Sequence, residues 1–415
     1  MAGAAHSWVA MRILHTSDWH LGVSLRDHPR DEEHAAFLAW LTDTIVAREV
    51  DVVLVAGDIF DTANPPSRAL ALWYGWLAAV RDRRPGIQVV AIGGNHDSAA
   101  RLDAPSELLR SLRIHTMGGL AREEGGGVDV LGCVVPLLDA AGGVAAVVGA
   151  VPFLGSLSVE EITEVYQRTC AELRVVAPPE AALLLMGHLF ALGGRAARRS
   201  GESERMMAGG VEHVPVSVFP DDVAYVALGH LHRGQEPGER VAYCGSPIPL
   251  SFGERDYEHR VLLVELVGGS EGRPQAVIEA VVIPRSVAVE SWPHAHESEK
   301  LLSAAEALAR VRARPEASGS ARLPLVQIRL APGATAVHKR EIEEAAVGRD
   351  FRCLHVELNT ERGIGGSAPS PRLDDLTPRE VFLDEWARRF PEEPLPPEVL
   401  TAFDEAVAAL AEEGA

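Results

Sequence analysis

The chain has 415 residues, of which 47% are hydrophobic and 24% are charged, and its formal net charge is −20. This composition excludes a disordered chain, and the length predicts two or three domains. The acidity argues against a broadly basic surface that would hold nucleic acid by its phosphates. Residues 341–415 carry 18 acidic and 7 basic side chains, a net of −11, so the rest of the chain is closer to neutral.

The cysteines and the apolar segments indicate a cytoplasmic protein without a membrane span. Four cysteines occur without CxxC spacing, which predicts reduced thiols and neither a disulfide framework nor a zinc knuckle. Residues 1–10, predicted as an N-terminal extension, lack the basic start and apolar run of a secretory signal. The most apolar region, Val130–Gly155, is interrupted by Pro136, Asp139 and glycines, which favours a pair of buried strands.

From residue 11 to residue 283, short β-branched runs alternate with amphipathic stretches, which predicts a layered α/β domain. Apolar side chains recur at helical spacing between the first two runs, at Phe37, Leu38, Leu41, Ile45 and Val46. The predicted strands are Arg12–Thr16, Asp51–Ala56, Gln88–Ile92, Ala181–Met186, Val223–Leu228 and Val261–Val267.

A smaller α+β domain is predicted over residues 284–360, because the character of the sequence changes near Pro284. Its predicted elements are a helix near Glu299–Val311, a strand at Leu325–Leu330, a helix near Val337–Ala346 and a strand at Cys353–Leu358.

The C-terminal part is predicted as a linker followed by helices. Residues 361–375 include a stretch rich in Gly, Ser and Pro, which is typical of a linker. Residues 376–415 predict two amphipathic helices, the first with a capping box formed by Thr377 and Glu380. Such helices either fold back on this chain or dock on a partner, and the absence of an evident core of their own favours a partner.

Five polar clusters each follow the end of a predicted strand. They are Asp18 and His20; Asp58 and Asp61; Asn95, His96 and Asp97; His188; and His230 and His232. Ligands of open α/β sheets bind beyond the carboxyl ends of the strands, so we expect the clusters to meet in space. One such histidine alone would more often be structural, but five clusters in this order make coincidence improbable.

The residue types in these clusters predict two divalent metal ions. Carboxylates, an amide and imidazoles without a thiolate favour Mn²⁺ or Fe²⁺ over a structural zinc. A carboxylate such as Asp58 can bridge two ions about 3.5–4 Å apart. Asn95 adds a neutral oxygen ligand. The sequence contains no GxxxxGK[ST] phosphate loop, so any ATP chemistry would come from another chain.

The order DxH, GDxxD, GNHD, GH and GHxH resembles that of the calcineurin-like metallophosphoesterases. The segments HTSDWHLG (15–22), GDIFDTANPP (57–66) and YCGSPIPLSF (243–252) resemble the SbcD family of nuclease subunits more closely. LTPREVF (376–382) resembles the start of that family's partner-binding helices. The resemblance is strong from residue 11 to about 265, weak over 286–360 and moderate over 376–412.

The resemblance implies a role for each residue in these clusters. The first metal would be held by Asp18, His20, Asp58 and His232, and the second by Asp58, Asn95, His188 and His230. His96 would face the scissile phosphate, and Asp97 would orient His96. Asp61 stands where archaeal and eukaryotic relatives carry a histidine. Arg101 and Arg255 are candidate phosphate contacts.

The resemblance also implies an activity and partners. The activity would be a Mn²⁺-dependent DNA nuclease, a 3′–5′ exonuclease on duplex ends and an endonuclease on hairpin or single-stranded DNA. It would act in repair and recombination with an SbcC-type ATPase in a two-plus-two assembly. The nuclease subunit would form a homodimer, and residues 284–360 would form a capping domain over the DNA. The alternatives are a phosphoesterase acting on a small phosphoester and an inactive scaffold.

Overall fold

The computed structural model describes residues 11–121, 128–155, 157–192, 214–269, 274–294, 301–319, 322–359 and 399–400. The chain up to Asn359 forms one compact unit, and a second unit begins at Thr360. The predicted extension 1–10, the linker 361–375 and, apart from residues 399–400, the predicted helices of 376–415 lie outside the described residues. Among the described helices, none has the length and apolar character needed to cross a membrane.

The described part of the chain alternates strands and helices. The strands are β1 (Met11–Thr16), β2 (Ser24–Leu25), β3 (His28–Pro29), β4 (Val52–Ala56), β5 (Gln88–Ile92), β6 (Ile114–Met117), β7 (Val134–Leu138), β8 (Val144–Ala150), β9 (Ala182–His188), β10 (Ala191–Leu192), β11 (Val214–Pro215), β12 (Tyr225–Gly229), β13 (Gln235–Gly238), β14 (Val241–Tyr243), β15 (Arg260–Gly268), β16 (Pro274–Val282), β17 (Val289–Trp292), β18 (Leu325–Leu330) and β19 (Arg352–Leu358). The helices are α1 (Asp31–Ala47), α2 (Ser67–Arg83), α3 (Ala99–Asp103), α4 (Ser106–Ser111), α5 (Val159–Val176), α6 (Ala304–Arg312) and α7 (Ala336–Ala346).

Two six-stranded sheets stack to form the main body. One has the order β16-β15-β1-β4-β5-β6, and the other has the order β13-β14-β12-β9-β8-β7. Strands β1, β4, β5 and β6 are parallel in the first sheet, as are β8, β9, β12 and β14 in the second. Side chains such as Leu54 and Leu184 fill the core between the sheets. The fold is therefore the layered α/β sandwich that the sequence predicts.

Helices cover the outer face of each sheet. Helices α1 and α2 pack on the first sheet through Phe37, Leu41 and Trp73, which are buried in one cluster with Val53. Helix α5 packs on the second sheet through Ile162 and other apolar side chains of one face. Strands buried on both faces read as continuous hydrophobic runs, and β4 has all five residues buried.

Residues 284–359 contain a third sheet with its own core. Strands β17, β18 and β19 are all parallel, and α6 and α7 alternate with them. This α/β arrangement differs from the predicted α+β domain, because the short strand β17 carries too weak a pattern to be recognised. Helix α6 begins at Ala304 after a Ser303–Glu306 capping box, later than the predicted helix near Glu299.

Candidate metal centre

The carboxyl ends of β1, β4, β5, β9 and β12 bring the predicted clusters together at one edge of the sandwich. The ligand atoms of Asp18, His20 and His232 lie within 4.8 Å of one another. The same limit holds for Asp18, Asp58 and His188. Residues more than 200 positions apart in sequence therefore share one cluster.

The remaining predicted ligands adjoin His188. Asn95 Oδ1 lies 3.0 Å from His188 Nε2 and 3.1 Å from His230 Nδ1. The imidazole rings of His188 and His230 meet edge to face, with centroids 5.2 Å apart. The cluster therefore has two adjacent parts, one around His20 and His232 and the other around His188 and Asn95, which Asp18 and Asp58 connect.

The side chain of Trp19 points away from the site and anchors the DxH segment in the core. Its fully buried indole packs against Phe37, Trp73 and Trp76 under α1 and α2. Asp18 and His20, on either side of Trp19, belong to the cluster and have left-handed backbones with φ of 53° and 46°. Such conformations cost energy in non-glycine residues and concentrate at functional sites.

Glycine at two positions allows the loops to approach closely. A Cβ at Gly94 would overlap the carboxylate of Asp58, and a Cβ at Gly229 would overlap the carbonyl oxygen of Ala56 and crowd His188. The spacing of carboxylate and imidazole in the cluster therefore requires glycine at both positions.

His188 is oriented by the backbone of β4. Its Nδ1 donates a hydrogen bond to the Ala56 carbonyl oxygen at 2.9 Å, because a carbonyl oxygen can only accept. This bond leaves Nε2 facing Asp58 Oδ2 at 3.3 Å and Asn95 Oδ1 at 3.0 Å. Oxygen acceptors therefore converge on Nε2.

The electrostatics of the cluster favour a positive charge between these acceptors. Burial alone would lower the pKa of His188, but the charge and hydrogen bond of Asp58 outweigh burial and raise that pKa to about 9. The same pairing holds the pKa of Asp58 well below its usual range, although burial opposes it. On the other side, His20 Nε2 is buried, lies 3.4 Å from Asp58 Oδ2 and makes no hydrogen bond among the described residues. A donor set of oxygen and imidazole nitrogen around such atoms fits divalent metal ions.

His232 is oriented by a carboxylate, that of Glu254, which belongs to none of the sequence motifs. Its Nδ1 donates to Glu254 Oε1 at 3.2 Å. Burial alone would lower the pKa of His232, but this hydrogen bond and the charge of Glu254 raise it to about 9. Nε2 is thereby left as the ring nitrogen available to a cation.

Asp97 ties two loops together through hydrogen bonds to the backbone. Its carboxylate accepts the backbone N–H groups of Ile59, Phe60 and Gly94 at 2.9–3.0 Å. His96 Nδ1 donates to the carbonyl oxygen of Asp61 at 2.8 Å, so a backbone group orients this ring. In place of the expected contact between Asp97 and His96, the carboxylate joins the loop of Asp58 to the loop of Asn95.

A cavity of about 340 Å³ opens beside the cluster. His20, Asp61, His96 and His232 line its polar side, and Leu250 is among the residues of its apolar side. Because Nδ1 of His96 is engaged by Asp61, its Nε2 is the nitrogen left for a molecule in this cavity.

Comparison with known proteins identifies relatives of this chain. The family model described as calcineurin-like phosphoesterase matches residues 11–234. The chain is 43% identical over 281 residues to the SbcD subunit of the SbcCD nuclease of Rhodobacter capsulatus, covering 63% of this chain and 68% of that protein. It is 34% identical over 307 residues to the SbcD subunit of Escherichia coli K12, covering 68% and 74%. It is 33% identical over 292 residues to the SbcD subunit of Bacillus subtilis, covering 65% and 69%.

The chain belongs to the calcineurin-like phosphoesterase family, within the SbcD group. Phosphoesterases of this family bind divalent metals, and the cluster of acidic and histidine side chains is where such metals fit. All seven predicted ligands of this family's pattern lie in the cluster described above.

The two arginines considered as phosphate contacts differ in their surroundings. Arg255 is only 12% exposed in its side chain, and its guanidinium binds the Phe252 carbonyl oxygen and Asp256. These contacts use the two terminal nitrogens of the guanidinium, and its buried Nε makes no hydrogen bond among the described residues. A phosphate contact by Arg255 stays a prediction. Arg101 lies in the short helix α3, where it donates to Asn64 Oδ1 at 2.9 Å.

Two supporting residues have only weak signals in the sequence. Ser17 donates to Asp18 Oδ2 and lies 3.0 Å from the sulfur of Cys244. Glu254 follows the segment 243–252 by two residues. Both residues lie close in sequence to a recognised motif, and this proximity is the sequence feature that indicates a supporting role.

Proposed function

We propose that this chain is the metal-dependent nuclease subunit of an SbcCD-type complex, which hydrolyses phosphodiester bonds in DNA. The observation that carries the proposal is the convergence of carboxylates, an amide and imidazoles from five strand ends on one cluster with an open cavity. Similarity to SbcD nuclease subunits over two thirds or more of their length supports DNA as the substrate.

The ligand sets proposed for the two ions follow the two parts of the cluster. Asp18, His20, Asp58 and His232 would hold the first ion, and Asp58, Asn95, His188 and His230 the second. Mn²⁺ is proposed for both, because it accepts mixed oxygen and imidazole ligands. Two bound divalent cations would supply an activated water and neutralise charge on the phosphate.

His96 is proposed to act on the phosphate itself. Its side chain lies in the cavity wall, and the Asp61 carbonyl oxygen fixes the orientation of the ring through Nδ1. Nε2 can then donate a proton to the leaving oxygen or stabilise charge on a non-bridging oxygen. Asp97 contributes indirectly, by holding the loops that carry Asp58 and Asn95.

The partners are proposed on the same basis. Residues 284–360 would form a capping domain, and helices in 376–415 would dock on an SbcC-type ATPase in a two-plus-two assembly. A homodimer through helices of the phosphoesterase domain is proposed on the resemblance to the SbcD family alone. A cytoplasmic location is proposed with these partners.

The proposed function is tested by comparing two activities in the presence of Mn²⁺. One is the degradation of end-labelled duplex and hairpin DNA, and the other is the turnover of nitrophenyl phosphate. The nuclease proposal predicts metal-dependent loss of the DNA label. Rapid turnover of the small ester without DNA cleavage would favour the alternative of a small-molecule phosphoesterase. A chain that binds no metal would indicate the alternative of an inactive scaffold.

A further inference from the structure

The ligand candidate His232 is oriented by a segment that the capping domain holds. Glu254 ends the short turn Phe252–Glu254 and is buried below the surface, with 8% of the residue exposed. One of its oxygens, Oε1, accepts from His232 Nδ1 at 3.2 Å. The other, Oε2, accepts from the backbone N–H of Leu250 at 2.9 Å, and the Ser251 hydroxyl donates to Oε1. The contacts with Leu250 and Ser251 therefore hold the Glu254 carboxylate in place independently of its hydrogen bond to the His232 imidazole.

The same turn is anchored in the capping domain. Phe252 is buried and packs in one cluster with Leu25 and with Val287, Val289 and Leu325 of the capping domain. Two residues of one short turn therefore face opposite partners, because Phe252 packs on the capping domain and Glu254 contacts a metal-ligand candidate.

Arg285 adds a polar clamp to the segment that follows the turn. Its guanidinium donates to the carbonyl oxygens of Arg255 at 2.6 Å and Tyr257 at 3.1 Å. Arg285 lies at the start of the capping domain, so the domain holds this segment by both apolar and polar contacts.

The orientation of His188 depends on a different part of the fold. His188 is fixed by the Ala56 carbonyl oxygen at the end of β4, in the centre of the first sheet. The ion bound by His188 would therefore be insensitive to the capping domain, whereas the ion bound by His232 would depend on it.

We propose that Glu254 is a positioning residue for His232, and that the turn Phe252–Glu254 couples the affinity of the first metal ion to the docking of the capping domain. The proposal rests on the proposed function, since it requires two metal ions at the cluster. Carboxylates that orient metal-bound histidines typically contribute about 10- to 100-fold in affinity.

The test is a Mn²⁺ titration of the full chain after metal removal, with free Mn²⁺ counted by electron paramagnetic resonance. In Glu254→Ala, one of the two dissociation constants should rise about 10- to 100-fold, with the second unchanged. Glu254→Gln keeps an oxygen that accepts from His232 and should lose roughly tenfold or less. The ¹⁴N coupling of bound Mn²⁺ should weaken in Glu254→Ala and recover in Glu254→Gln, which a purely structural role would not produce.

The capping-domain link is tested with Phe252→Ala, which leaves Glu254 and His232 in place. The dissociation constant that rises in Glu254→Ala should also rise in Phe252→Ala, by several-fold. This rise is near the lower end of the effect on metal affinity expected from a residue that supports a metal ligand. Phe252→Leu retains an apolar side chain and should stay near wild type, which keeps the test valid if the alanine variant folds poorly. The matched control is Phe219→Ala, because Phe219 is similarly buried in the outer core of the second sheet.

Each outcome has a distinct meaning. Wild-type chain that binds fewer than two Mn²⁺ ions overturns the proposed function itself. Two ions bound with wild-type affinity in Glu254→Ala would refute the positioning role while the nuclease proposal stands. Unchanged affinity in Phe252→Ala, or an equal loss in Phe219→Ala, would refute the link to the capping domain.

Discussion

The substitution Asp97→Asn tests whether Asp97 holds two loops together or takes part in the chemical step. In the structure Oδ2 accepts the N–H groups of Ile59 and Gly94, and Oδ1 accepts that of Phe60. An asparagine oxygen can replace only one carboxylate oxygen, so its amino group must face a backbone N–H. Leaving one buried amide without an acceptor costs about 1–3 kcal/mol, which is the expected loss in free energy of unfolding.

The loss is measured by urea unfolding in the presence of a chelator, because bound metal would add its own stabilisation. Since the tie holds the loops of the proposed ligands Asp58 and Asn95 together, Mn²⁺ affinity should fall as well. Asp103→Asn is the control, because Asp103 accepts the Gly118 N–H outside the cluster and its change should leave Mn²⁺ affinity intact. Asp97→Asn with wild-type stability and Mn²⁺ affinity but reduced DNA cleavage would refute this role in holding the loops together and favour the orienting role that the family resemblance implies.

Three further predictions concern the site. His96→Ala should lower DNA cleavage roughly 10²- to 10⁴-fold with two Mn²⁺ ions still bound, and loss of an ion would contradict its assignment to the phosphate. Gly94→Ala should abolish tight Mn²⁺ binding in calorimetry, because its Cβ would displace Asp58, and normal binding would contradict the close packing. The raised pKa values of His188 and His232, both about 9 without metal, mean that protons must leave before Mn²⁺ binds. Affinity should therefore increase from pH 7 to about 9, and a pH-independent titration would contradict this.

The sequence predicts the sandwich well because its strands carry a strong pattern. Strand β5 has the predicted bounds, Gln88–Ile92, and Val52–Ala56 differs from its prediction by one residue. Both are buried on both faces, so continuous β-branched runs identify them without knowledge of their neighbours. Strand β16 was missed, because its nine residues alternate between partly buried and exposed positions at the edge of the sheet.

The sequence predicts the ligand residues of the site but not the groups that orient them. The proposed ligands sit in short motifs at strand ends, and the rule that ligands bind there brings them together without coordinates. The Ala56 carbonyl that orients His188 is a backbone group, so no side-chain pattern records it. Glu254 reaches His232 from 22 residues away in sequence, and such a contact depends on how the intervening segment folds. The contacts of Asp97 could not be foreseen either, because proximity to His96 in sequence says nothing about the direction of its carboxylate.

The property on which the proposed function depends is the binding of two ions that serve DNA hydrolysis at this cluster. It is tested most directly by following an end-labelled duplex and a hairpin while Mn²⁺ is titrated into metal-free chain, with and without the ATPase partner. We expect cleavage that appears as the second Mn²⁺ ion per chain binds and that is lost in Asp58→Asn. Two bound ions without cleavage of either DNA under both conditions, or equal cleavage by Asp58→Asn, would contradict it.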